Sequence, residues 1–219
     1  MRSIIQKRLT AVIVLLATSS VMAQTKYERI EPSAKQMAKL QAMTPESVAA
    51  IAQINDDELE PVVIISTENA YQSLGGFTDP VRSDNFLRAF IDKASGTTRY
   101  QLDQSVRYNV EWRDFTSAVF VVDSVPQSAK LTIIKRDVVG CYASMCSYEE
   151  IVGFDLDEPV LATIADRYVA GQSPLWRFRL KAKSGIDWEE RLAPAEAAGM
   201  LEAVRRWRAT RQILPQPTP

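Results

Sequence analysis

Between Arg99 and Arg113 the chain alternates with a period of two. Tyr100, Leu102, Val106, Tyr108, Val110 and Trp112 are apolar, while Arg99, Gln101, Asp103, Ser105, Arg107, Asn109, Glu111 and Arg113 are polar. Successive side chains of a strand point to opposite faces, so this run describes a strand, or a bent strand pair, with one face buried and one wet. That is the pattern of an antiparallel sheet. Gln104 is the one polar residue on the apolar side. A second alternating run follows at Trp176, Phe178, Leu180 and Ala182, interleaved with Arg177, Arg179, Lys181 and Lys183. It gives a strand with an apolar face and a wholly basic one.

The remaining elements follow from local chemistry. Ser33 and Gln36 form a capping-box pattern, and Thr44-Pro45 has N-cap and N1 character, so two short helices are expected over residues 33–54. Val62–Ile65 is β-branched enough for a first strand. Gly75, Gly76, Asp79 and Pro80 mark a loop. Strands are expected at Phe86–Lys93, Val119–Asp123, Leu131–Cys141 and Cys146–Asp157, with a short helix at Glu158–Ala170. A last amphipathic helix should run from Ala193-Pro194 to about Gln212, with Met200, Leu201, Val204 and Trp207 on one stripe. The expected fold is α+β: an antiparallel sheet of about seven or eight strands, a curved sandwich or partly open barrel, with N-terminal helices and a C-terminal helix over its apolar opening. The chain divides into a leader (1–23), an N-terminal helical segment (24–60), the β domain with its helix (61–214) and a proline-rich tail (215–219).

Cys141 and Cys146 bracket four residues, and in an oxidising compartment such a pair is most simply a disulfide at the base of a hairpin loop. A four-residue loop pairs positions whose numbers sum to 287, as Cys141 and Cys146 do. Leu131 then faces Leu156, Ile133 faces Phe154 and Val139 faces Tyr148. The same register sets Asp137 opposite Glu150, a like-charge conflict that a bulge or an intervening cation would relieve, and that would alternatively serve as a carboxylate acid/base pair. In the basic strand, a Ser184-Gly185-Ile186 loop would set Lys183 opposite Asp187, Lys181 opposite Glu189 and Ala182 beside Trp188, answering much of the positive row.

The first 23 residues order a charged start (Arg2, Lys7, Arg8), an apolar run (Ala11–Ala17) and small residues before Gln24. This is the zone order of a secretory signal peptide, with cleavage expected after Ala23 and a periplasmic or secreted product. No later stretch reaches the ~20 apolar residues of a membrane-spanning helix. Loss of the leader leaves 23 Lys and Arg against 27 Asp and Glu, so a general nucleic-acid binder is not expected. The chain has no histidine, which excludes Ser-His-Asp and Cys-His catalysis and the usual zinc sites. No phosphate-loop, dinucleotide or nucleophile-elbow motif occurs, and no cofactor is implied. The expected function is non-enzymatic binding or structural work in a bacterial envelope, with an envelope protein, a glycan or a small ligand as partner. Arg177, Arg179, Lys181 and Lys183 form the candidate face for an anionic partner. The alternative is a carboxylate-based periplasmic hydrolase, with Asp137 and Glu150 as its nominated pair and the catalytic residues otherwise unknown.

Overall fold

Both N-terminal caps form as their sequences require. Ser33 Oγ accepts the Gln36 N–H at 3.3 Å while Gln36 Oε1 accepts the Ser33 N–H at 2.8 Å, and Thr44 and Ser47 reciprocate in the same way at 3.1 Å. The computed structural model describes residues 26–71, 81–143, 145–172 and 174–211. The expected leader, the loop at Gly75, Gly76, Asp79 and Pro80, and the proline-rich tail lie outside the described residues.

The element order is β1 (Lys26–Glu28), α1 (Ala34–Ala42), α2 (Pro45–Ile51), β2 (Gln53–Asn55), β3 (Val62–Ser66), β4 (Arg82–Asp92), β5 (Thr98–Asn109), β6 (Phe115–Val122), β7 (Val125–Lys130), β8 (Thr132–Tyr142), β9 (Met145–Leu156), α3 (Glu158–Ala165), β10 (Trp176–Ala182), β11 (Ile186–Leu192) and α4 (Pro194–Thr210). The strands form two sheets, ordered β1-β11-β10-β6-β7 and β2-β3-β4-β5-β9-β8. Every pairing is antiparallel except β1 on β11. The fold is α+β and mostly antiparallel as expected, but the described residues form eleven strands rather than seven or eight, in two sheets that do not close into a barrel. The added strands are β1, β2 and β7, three to six residues long and too short to show a period.

The two sheets meet through aromatic rings. Phe154 on β9 lies 5.8 Å from Phe120 on β6 and 5.4 Å from Phe178 on β10, and Trp176 packs on both Phe120 and Phe178. Leu161 and Ile164 of α3, and Ala197, Met200, Ala203, Val204 and Trp207 of α4, complete the same buried cluster. At Gly199 an added Cβ would fall 2.4 Å from Val48 Cβ, so a side chain there is incompatible with the closeness of α2 and α4. Helix α3 stops at Ala165, five residues before the expected end.

Alternation fails in two informative places. Val110 (φ 91°) and Asp114 (φ 54°) lie in the left-handed region, so β5 ends at Asn109 and residues 110–114 turn away. On β5's expected wet face, Gln101 and Asp103 are buried. Asp103 pairs with Arg88 Nη1 at 2.9 Å, and Gly153 on β9 leaves it room, since a Cβ there would lie 2.8 Å from the Asp103 carboxylate.

Truncating the ring shared by both sheets, Phe154→Ala, should cost about 3–5 kcal/mol in urea unfolding. Removing the crosslink with Cys141→Ser/Cys146→Ser should cost only about 2 kcal/mol, since the closed loop is short, and should leave the far-ultraviolet circular dichroism unchanged.

Candidate functional site

β10 presents Arg177, Arg179 and Lys181 on the outer face of the five-stranded sheet, while Trp176, Phe178 and Leu180 are buried on the inner one. The register to β11 is Arg179 opposite Glu189 and Leu180 opposite Trp188, two residues from the expected one. The acids still answer the cations, because a two-residue slip preserves which face each side chain occupies. Lys181 pairs with Asp187 rather than Glu189, and Arg179 Nη2 reaches Glu189 Oε2 at 2.8 Å. Lys183 is not part of the row: β10 ends at Ala182, and Lys183 lies exposed in the turn to β11.

Glu189 is the centre of this surface. Arg29 Nη1 lies 3.2 Å from it and Arg177 Nη1 lies 3.9 Å away, so three guanidinium groups surround one carboxylate. Burial works against the Glu189 charge, but hydrogen bonds from Arg179 and Arg29 and the nearby positive charges outweigh it, holding its pKa below the ordinary value. Arg179 also stacks on Tyr27 of β1, 4.1 Å from the ring centroid, and its buried Nε has no hydrogen-bond partner among the described residues. The Arg177 side chain is 65 % exposed. Beside these residues runs an open groove of about 750 Å³, with Val119, Val121 and Pro126 as apolar lining, Gln127 and Ser128 of β7 as polar lining, and Arg167 after α3. The Arg167 side chain is exposed and makes no ion pair or hydrogen bond among the described residues. Among the described residues that line the groove, Arg167, Arg177 and Arg179 stand against Glu189 alone. The expectation identified β10's contribution and missed Arg167, Arg29 and Tyr27, which come from segments with no local pattern.

The nominated carboxylate pair is not brought together. Two bulges, between Ile133 and Lys135 and between Val138 and Gly140, shift the β8–β9 register, so Asp137 faces Glu149 and Arg136 faces Glu150. Val138 rather than Val139 meets Tyr148, Ile133 meets Val152, and the sum of 287 holds only at the hairpin end. Lys135 Nζ lies between the two facing acids, 2.9 Å from Glu149 and 3.4 Å from Asp137. Glu150 points to the other face, 1 % exposed, where it accepts the Tyr108 hydroxyl and the Asp114 N–H. It serves the turn that ends β5. Cys141 and Cys146 are bonded and directly opposed, but the strands continue to Tyr142 and Met145, so the expected four-residue loop is shorter by one strand pair.

A second group of acids lies inside. Glu190 Oε2 accepts the Ser83 hydroxyl at 2.5 Å and the Trp188 indole N–H at 3.3 Å, and Gln104, the polar intruder of β5, donates to Ser83 Oγ at 2.7 Å. Glu196, in the first turn of α4, accepts the Thr67 hydroxyl at 2.5 Å. Both glutamates border a cavity of about 40 Å³ together with Tyr71, Asp84 and Asn85, a space of water-molecule rather than saccharide size. Burial raises the pKa of Glu190 and pushes Glu196 from 4.5 to about 8. Parity with Trp188 was the sequence signal for Glu190, and an acid within the small-residue run Ala193–Met200 was the signal for Glu196.

No protein-family model matches the chain, and neither a curated protein nor a solved structure does.

An acid whose pKa rises on folding stabilises the fold fully below its unfolded pKa and loses that contribution as pH rises through the folded value. For Glu196 the window runs from 4.5 to about 8. The denaturation midpoint should therefore fall steadily across that range. Glu196→Gln, neutral throughout, should reduce the slope and leave the contributions of the same sign from Glu190 and from Asp103, itself raised to about 6 by burial.

Proposed function

We propose that this chain is a non-enzymatic binding protein of the bacterial envelope, periplasmic or secreted, that takes an anionic saccharide in the groove of its five-stranded sheet. The observation that carries this reading is the charge imbalance: Arg167, Arg177 and Arg179 line the groove with Glu189 as the only acid among its described lining residues, while Arg29 bridges Glu189 and Glu31. Planar guanidinium forks suit carboxylate, sulfate or phosphate oxygens, and they are less strongly hydrated than ammonium groups. The groove's volume of about 750 Å³ lies within the ordinary range of small-ligand sites. Val119 and Val121 offer an apolar floor for a sugar ring, and Gln127 and Ser128 offer an amide and a hydroxyl for its neutral substituents. The secretory zone order of residues 1–23 and the Cys141–Cys146 bond are compatible with the compartment.

Retention on immobilised heparin, as a sulfated polysaccharide, tests the reading directly. The wild type should bind and elute with rising salt. The double variant Arg167→Gln/Arg177→Gln, which removes two exposed cations and spares the Arg179–Glu189 pair, should weaken binding about tenfold or more. Retention that is unchanged in this variant would sink the groove as the site.

A further inference from the structure

A sheet edge is a row of unpaired backbone donors and acceptors, and natural folds blunt it with short strands, proline, charge or bulges. Among the described residues the two sheets end on four strands. β1 and β2 have three residues each, and β7 carries Pro126 near its start and Lys130 at its end. β8 is different. It has eleven residues, all exposed and none of them proline, and Ile133, Ile134, Val138 and Val139 place large apolar side chains in solvent. Its charges are grouped at the centre as Lys135, Arg136 and Asp137.

We infer that β8 is the contact surface for a second copy of this chain, pairing antiparallel with its own counterpart about a two-fold axis at Arg136 and joining two six-stranded sheets edge to edge. The order of charges selects this arrangement. A two-fold axis perpendicular to the sheet gives an isologous contact in which each pair occurs twice. Centred on Arg136, it sets Lys135 opposite Asp137 of the second copy, and Asp137 opposite Lys135 of the second copy. Centred on Asp137, the axis would set that acid against itself, and a parallel in-register pairing would align every like charge. The two bulges bracket Lys135–Val138, leaving that segment regularly pleated. Lys135 and Asp137 consequently share the face on which Lys135 already meets Glu149. Arg136 at the axis is compensated within its own chain, since Asp114 lies 2.5 Å and Glu150 3.6 Å from its guanidinium and Trp112 stacks on it at 4.4 Å.

Sedimentation equilibrium on the oxidised protein tests the arrangement with two charge reversals on exposed side chains, Lys135→Asp and Asp137→Lys. The wild type should show a concentration-dependent monomer–dimer equilibrium. Each variant alone should weaken it about tenfold or more, because both symmetric pairs turn from attractive to repulsive. An equimolar mixture of the two should recover the dimer, since an edge with two acids then meets an edge with two lysines. A wild type that stays monomeric at every concentration would overturn the inference. So would a dimer indifferent to both reversals, or a mixture that fails to associate although each variant keeps the wild-type circular dichroism.

Discussion

The contact of Phe154 with Phe120 and Phe178 is where one sheet meets the other, and the rest of the architecture depends on it. A sheet with one apolar face must bury that face against something. Here each sheet serves as the cover of the other, and α3 and α4 close the end that the sheets leave open. Aromatic rings suit this junction because each brings a large apolar area with few rotatable bonds, and their tilted and offset contacts fix the relative position of the two layers. The outer faces are thereby released from packing. That freedom is what allows β10 to carry a row of cations on one side while Trp176, Phe178 and Leu180 supply the core on the other.

Several polar groups inside this frame are tied together by hydrogen bonds, while Gln104 Oε1 and Arg113 Nη1 are buried without a hydrogen-bond partner among the described residues. Trp188, Ser83, Glu190 and Gln104 form a connected set between the sheets, and the Tyr108 hydroxyl ties Glu150 to the Arg113 N–H at the end of β5. Such networks specify geometry because a displaced member leaves a buried group unpaired. Glu150 illustrates the point. Its contacts to Tyr108, Asp114 and Arg136 hold the left-handed turn that carries the chain out of β5 and into β6, across from one sheet to the other.

Face assignment was legible in the sequence and pairing register was not, for a physical reason. Alternation determines which side of a sheet a residue occupies, so the basic face of β10 and the apolar face of β5 could be identified from period alone. Register depends on turn length and bulges, which have no fixed residue signature. The two-residue slip between β10 and β11 left the ion-pair pattern intact because it conserved parity, whereas the single-residue bulges in β8 moved Asp137 away from Glu150. Local capping chemistry at Ser33 and Thr44 was fully readable because every partner lies within three residues. The groove was readable only through β10. Tyr27, Arg29 and Arg167 reach it by the parallel docking of β1 on β11 and by the position of the α3 turn, both products of tertiary packing.

Leu131 joins β7 to β8, and in that one residue the chain leaves the five-stranded sheet for the six-stranded one. Its side chain is buried at the corner and its N–H donates to the Thr116 carbonyl at 3.3 Å. There is no slack at such a junction. β8 is joined without a loop to β7, whose Gln127 and Ser128 form one wall of the basic groove. The corner thus makes the strand at the rim of one sheet and a wall of the groove on the other consecutive pieces of chain, one residue apart.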